Sequence, residues 1–268
     1  MGPQHIGIGH PEVKDVLAIQ RNTSAERHSF VIAEGFWATR LALRLEARIE
    51  KFFHAPELVH STEVQACADE LERAARDTYR VSEKTMKRMA QREGPDGLLA
   101  VVAMPRWSPD SIQLGESSLV VIADGIEKPG NLGTLLRTCD ATRVDALVMV
   151  NRRTRMSHPK VFNGSKGMTL KVPHLEFAQV ADVVEWLKER GFDVYLADTH
   201  DSVNYRSVDY SGRTAIVVGN ERYGVSNAWY ERGLRAVGIP MLGAVDSLNV
   251  SVSASVLLYE ARARKDRW

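Results

Sequence analysis

The chain has 268 residues, 44% of them hydrophobic and 26% charged, the composition of an ordinary soluble protein with room for two compact domains or one large one. Its formal charge of +1 points neither toward nor away from a nucleic-acid partner, because local patches matter more than the total. The longest apolar runs, such as SLVVIAD at 118–124 and DALVMV at 145–150, are strand-sized and far short of the ~20 residues a bilayer helix needs, so no membrane span is expected.

The amino-terminal MGPQHIGIGHPEV has no basic run ahead of an apolar core, so no secretory signal is expected and a cytoplasmic location is the default. A helix is predicted from Pro11, a first-turn proline, to Arg21, then a strand in HSFVIAEG, a turn at Gly35 and a helix from Phe36 to Glu46. A second α/β pass follows: the strand IEKFFHA, the helix TEVQACADELERAARD, the strand YRVS, the helix EKTMKRMAQR and the strand GLLAVVAMP. Residues 1–105 therefore read as a small α/β domain. The Pro-, Ser- and Gly-bearing segment RWSPDSIQLGE at 106–116 reads as a linker.

From 117 to 268 strand and helix alternate: LVVIAD, helix GNLGTLLRTCDA, ALVMV, helix HPKVFNGS, a strand, the helix DVVEWLKERG, DVYLADT, TAIVVGN, helix SNAWYERG, AVGIP, and a last helix from Leu248 to about Arg264. Strands that are apolar throughout and joined by helices predict an α/β fold with a parallel sheet covered on both faces. Cys67 and Cys139 lie far apart, with no CxxC pair and no histidine at ligand spacing, so neither a disulfide framework nor a metal site is expected. Cys139 reads as a small core residue.

Three loops carry the chemistry, and each leaves a strand at its carboxyl end, where open parallel sheets build binding crevices. In DGIEKPGNLGTLLRT at 124–138, Pro129, Gly130 and Gly133 bracket a helix start whose free amides could meet an anion; otherwise Asn131 caps the helix and Arg137 is a solvated position. In GNERYGVS, Gly219 allows a sharp turn, Gly224 a positive φ, and Ser226 can cap the next helix, while Glu221 is either functional or a surface carboxylate. In VDSLNVSVSASV, Ser247 and Asn249 precede a helix whose first turns hold Ser251, Ser253 and Ser255, poor helix fillers that permit close approach of a backbone or ligand.

The ordered set NxGxxxR at 131–137, GNExxG at 219–224 and SLNVSVS at 247–253 resembles the three motifs of the SpoU (TrmH-type) branch of the SPOUT RNA methyltransferases. The resemblance covers about 117–265. HSFVIAEGFWATRLAL and VSEKTMKRMAQREGPDGLLAVV also look like the substrate-binding domain that precedes the catalytic domain in many ribosomal RNA members. It implies a carboxyl-terminal SPOUT domain with a trefoil knot made from the loops around 219–226 and 241–252, and transfer of a methyl group from S-adenosylmethionine to a ribose 2′-hydroxyl of RNA. A homodimer with composite active sites is also implied.

By this resemblance Val218, Gly219, Asn220, Ile239, Leu248 and Asn249 hold the cofactor. Arg137 matches the family's catalytic arginine. A guanidinium almost never releases its proton, so it is expected to stabilise charge, with the identity of the base left open. Asn131, Glu221, Ser247 and Asn249 match the other motif positions, where they orient Arg137, shape the loop and hold ribose or cofactor. Arg152, Arg153, Arg155 and Lys166 are expected to contact RNA phosphates, or else form a solvated basic face.

Two stretches depart from the family pattern: TCDATRVDA has Asp140 and Arg143 where small residues are usual, and HPKVFNGSKG has Asn163 where arginine is frequent. Both bear on substrate choice. The amino-terminal domain favours ribosomal over transfer RNA, a non-catalytic RNA-binding protein of the same fold is the alternative from another class, and a nicotinamide dehydrogenase ranks last because no GxGxxG follows the first strand.

Overall fold

The structure is a computed structural model that describes residues 3–267. Two compact units are present, one comprising the chain through Pro105 together with Met156–Leu170, the other Arg106–Arg155 and the chain from Lys171 onward.

The first unit begins with β1 (Gln4–His5), α1 (Pro11–Gln20), β2 (Phe30–Glu34), α2 (Gly35–Arg44), β3 (Ile49–His54), α3 (Thr62–Ala74), β4 (Asp77–Arg80), α4 (Glu83–Met89) and β5 (Leu98–Ala103). Its sheet has the order β1-β4-β3-β5-β2, with β5 antiparallel to both neighbours and the remaining pairs parallel. Successive strand residues point to opposite faces, and the core follows that period. Phe52, Leu98, Ala100 and Val102 pack with Ala42 of α2 and Leu71 of α3, while Phe53, Leu99 and Val101 pack with Val16 of α1 and Met86 of α4. Helix starts are set locally: Ser61 and Ser82 accept hydrogen bonds from the N–H groups of Val64 and Thr85, three residues on.

The second unit opens with β6 (Leu119–Asp124), α5 (Pro129–Ala141) and β7 (Ala146–Val150). The chain then runs through α6 (Pro159–Gly164), where Phe162 and, further on, Leu170 join the Phe52–Leu71 side of the first unit's core. It returns as β8 (His174–Glu176), α7 (Val180–Glu189), β9 (Asp193–Ala197), β10 (Val203–Asn204), β11 (Thr214–Val218), α8 (Asn227–Tyr230), β12 (Arg235–Gly238) and α9 (Val250–Asp266). The seven strands lie in the order β10-β12-β9-β11-β6-β7-β8 and every pair is parallel. β6, β7 and β11 are buried along their whole length, as a sheet covered on both faces requires.

Val120, Val148 and Val217 pack with Trp186 and Leu187 of α7 and Trp229 of α8. α5 and α9 pack together, and the Thr138 and Ser255 hydroxyls hydrogen-bond at 2.8 Å across them. Cys139 is fully buried on α5, and burial pushes its thiol up. Residues 106–116 have no helix or strand, yet Trp107, Ile112 and Leu114 pack on the second unit's core, with Trp107 edge-on to His174 at 4.5 Å. Among the described residues no helix is long and apolar enough to cross a membrane.

Asp140, in the last turn of α5, and Arg143, just beyond it, each have local partners. Asp140 pairs with Lys171 at 2.6 Å. Arg143 takes a left-handed φ of 50°, and buried Arg262 of α9 donates to its carbonyl at 2.6 Å and to that of Thr142 at 2.7 Å. A cation thus satisfies carbonyls left open at a helix end.

Candidate active site

β12, β9, β11 and β6 are adjacent in the sheet, so the loops leaving their carboxyl ends converge. After β11, Gly219 is pressed against the returning chain: a Cβ there would lie 2.1 Å from the carbonyl carbon of Gly224 and 2.2 Å from the nitrogen of Val225. Gly224 has φ of 70°, and Asn220 and Gly224 exchange backbone hydrogen bonds at 2.8 and 2.9 Å. The Asn220 side chain fastens this tight loop, donating to the carbonyl of Gly125 at 2.8 Å and accepting from the N–H groups of Arg222 at 2.9 Å and Tyr223 at 3.1 Å.

Glu221, at the tip, accepts from the N–H groups of Glu127 and Lys128, each at 3.1 Å, and from the Asn131 amide at 2.7 Å. Burial pushes its carboxyl up, but these donors outweigh that effect and hold it below the usual carboxylate range. Asn131 in turn accepts at Oδ1 from Asn249 Nδ2 at 3.1 Å. Asn249 caps α9, its Oδ1 accepting from the N–H of Ser251 at 3.0 Å and the Ser251 hydroxyl at 2.7 Å. The tip of one loop, the first turn of α5 and the cap of α9 are joined in one continuous polar chain.

A cavity of about 580 Å³ opens beside this chain. Val218, Gly219, Asn220 and Glu221 contribute from the end of β11, Val237 and Ile239 from the end of β12, Ser247, Leu248 and Asn249 from the loop before α9, and Val250 and Ser253 from its first turns. Every residue expected to hold a cofactor therefore lies in its wall. Ala197 at the end of β9, Asp198–His200 after it, and Met241 also line it. Sequence reasoning missed these, although DVYLADTH shows the same apolar strand running into a polar loop as the segments that were singled out. Asp198 accepts from the N–H of His200 at 2.9 Å and from the Tyr230 hydroxyl. Burial pushes its pKa up, but these hydrogen bonds outweigh that effect and hold it below the ordinary value, so the wall keeps an ionised carboxylate.

The remaining expectations divide. Ser247 is exposed and donates to Asp246 at 3.1 Å. Arg137 is exposed on α5 and does not line the cavity. The helix starts at Pro129 with Lys128 at the cap, so Asn131 lies inside it and its side chain serves Glu221 instead. Ser226 stands at the cap of α8 without a side-chain cap bond; its N–H donates to Asp124 at 2.8 Å. Arg152 pairs with Glu176 at 2.7 Å, and Arg152 and Arg153 line a second cavity beyond Tyr223. Arg155 is half-buried at the end of the same stretch, whereas Lys166 is exposed and belongs to the first unit, as does Asn163.

With this geometry established, comparison with known proteins decides the family. Residues 118–259 match the SpoU rRNA Methylase family, and residues 10–100 match the MRM3-like substrate binding domain. The chain belongs to the SpoU rRNA Methylase family. A protein of Staphylococcus saprophyticus assigned to the TrmH family of tRNA/rRNA methyltransferases is 36% identical over 149 residues, 56% of this chain and 60% of its own length. The match thus spans about three fifths of such curated relatives.

Two solved structures align over nearly the whole chain. An AdoMet-bound rRNA methyltransferase from Sinorhizobium meliloti superposes with a TM-score of 0.85 at 26% identity, covering 97% of each chain. An RNA 2′-O ribose methyltransferase superposes with a TM-score of 0.80 at 29% identity, covering 99% of this chain and 100% of the other.

Proposed function

We propose that this SpoU-family chain is an enzyme that methylates a ribose 2′-hydroxyl of ribosomal RNA, using S-adenosylmethionine and working as a homodimer in the cytoplasm. The observation that carries the reading is the Glu221–Asn131–Asn249 chain standing at the lip of a strand-end cavity. The S. meliloti rRNA enzyme, similar in both units, supports a ribosomal substrate.

The cavity fits the cofactor by shape and charge. Its volume lies within the roughly 300–1,000 Å³ of small-molecule sites. Val218, Ile239, Met241 and Leu248 offer apolar contact for an adenine, and Asp198, Glu221 and Asp246 put carboxylates in the wall of a site meant for a sulfonium and an ammonium group. When bound, the cofactor supplies an electrophilic methyl group. The loops 219–226 and 241–252 would form the implied knot around it.

The protein's own task is to place the hydroxyl and to stabilise the charge that develops as its proton leaves. Glu221 fixes Asn131 and the backbone at the start of α5, and Asn131 aims the Asn249 amide, which stands where cofactor and ribose would meet. Arg137 acts as a permanent cation for the hydroxyl and an adjacent phosphate. Its exposed position outside the cavity wall suits delivery to the site of the second copy in a homodimer.

Methyl transfer from labelled S-adenosylmethionine to total rRNA and, separately, to total tRNA tests the reading. Label in rRNA is expected; label in tRNA alone would remove the ribosomal assignment. Calorimetry that finds no cofactor binding to the folded protein would leave a non-catalytic RNA-binding protein.

A further inference from the structure

Tyr223 is a large aromatic side chain left 72% exposed at the tip of the GNERYG loop. It lines both the cofactor-sized cavity and a second one of about 440 Å³, so its ring stands on the ridge between them. The backbone of that ridge is tied down: the Asn220 side-chain oxygen accepts from the N–H of Tyr223, and the paired Asn220 and Gly224 close the loop beneath it. The Arg222 guanidinium lies 5.3 Å from the ring centroid, a cation–π contact that holds the ring in place. A pre-positioned ring of this kind binds a flat partner with little further ordering cost.

The second cavity is lined mainly by polar and charged residues around the Tyr223 ring. Arg152 and Arg153 line it; Arg152 is paired with Glu176, while Arg153 is exposed and has no hydrogen bond or ion pair among the described residues. Of its two acidic lining residues, Asp124 is buried, with its oxygens taken up by the Asn151 amide at 2.7 Å and the N–H of Ser226 at 2.8 Å. Glu127 leaves an exposed carboxylate. One uncommitted cation, one uncommitted carboxylate and an aromatic ring suit a base carrying amino donors on a singly charged phosphodiester. They suit a bare anion poorly.

We propose that Tyr223 and this cavity form a subsite for the RNA nucleotide next to the one methylated, its base stacked on the Tyr223 ring and its phosphate on Arg153. The inference rests on the RNA methyltransferase reading and adds the residues that grip the flanking nucleotide. Unstacked bases of single-stranded RNA are recognised by aromatic rings in this manner. The shared wall places such a nucleotide beside the one offered to the methyl donor.

The test uses the full chain, with methyl transfer to rRNA followed as a function of RNA concentration and cofactor affinity followed by calorimetry. Tyr223→Ala and Tyr223→Leu are expected to raise the KM for RNA about tenfold. Tyr223→Phe should stay near wild type, and cofactor affinity should change less than the RNA KM. Arg153→Gln should also raise the RNA KM and lessen its salt dependence.

An unchanged RNA KM in Tyr223→Ala, equal behaviour of the Leu and Phe variants, or a loss confined to cofactor affinity would overturn the proposal. A wild-type protein that methylates no RNA would instead sink the functional reading. Filter binding of RNA to wild type and Tyr223→Ala would then still decide whether the ring holds a base.

Discussion

Asn249 donates its side-chain amide to the side-chain oxygen Oδ1 of Asn131 at 3.1 Å, across 118 positions of sequence. Asn131 simultaneously donates to Glu221, so neither asparagine can rotate without breaking a bond to another loop. Replacing both by alanine in a double-mutant cycle should reveal a coupling of about 0.5–1 kcal/mol in urea unfolding, since the contact is partly exposed. The single Asn249→Ala variant should lose both cofactor affinity and turnover. Strict additivity would mean that the bond does no work in solution.

Glu221 gives a pH signature. Its folded-state pKa is held below the ordinary value of 4.5, so the stability it contributes is complete above that value and is lost as pH falls through the lower folded value. Glu221→Gln should cost about 0.5–1.5 kcal/mol near neutral pH, a figure reduced for solvent screening at this partly exposed loop, because donors that served a carboxylate are left poorly paired. The gap between wild type and variant should shrink below about pH 4. Chemical unfolding across that range checks the sign; a gap that widens on acidification would contradict it.

At Gly219 the obstacle is main chain on both sides of the loop. A methyl group there would meet Gly224 and Val225 at little over 2 Å, and neither backbone atom can swing aside. Gly219→Ala is expected to cost about 3 kcal/mol, the upper range of overpacking, and to abolish cofactor binding. Thermal unfolding and calorimetry measure the two effects separately.

Arg137→Ala should leave cofactor affinity within a few-fold, because the side chain stands outside the cavity wall. Turnover should fall about 10²–10³-fold or more, the usual loss when a charge-stabilising donor is removed. Near-normal turnover would refute the assigned role. Mixing Arg137→Ala with an Asn249→Ala variant should restore part of the activity if two copies share a site.

The slope of log affinity against log salt should drop by about 0.7 to 1 when Arg153 is neutralised, one phosphate contact being lost. Arg152→Gln should matter less, since Glu176 already balances that charge.

Much of the fold was legible because the chain's periodicities are clean. LVVIAD, ALVMV and TAIVV are almost wholly apolar, and each became a fully buried strand in a sheet covered on both faces, while FVIAE became an edge strand of the first unit with every second residue buried. That Val218–Glu221 and Leu248–Asn249 would share one cavity wall was legible for a related reason, since both follow strand ends in recognisable motifs. Partnerships were not. That Asn131 would serve Glu221 and not its own helix end depends on where a loop ninety positions away returns, which no local pattern encodes. Tyr223 went unremarked because an exposed aromatic looks like any other loop residue until the cavities on either side are seen.

The passage of Met156–Leu170 through the first unit has a practical corollary. A recombinant fragment beginning at residue 117 would carry Phe162 and Leu170 without the Phe52, Leu71 and Leu98 side chains that cover them. Such a truncation would put a greasy strip in water and invite aggregation. Equally, a fragment ending at 105 would lack part of its own filling. Excision at the apparent interdomain seam therefore maims both halves, and shuttling the amino-terminal module between related enzymes requires grafting this distal insert with it.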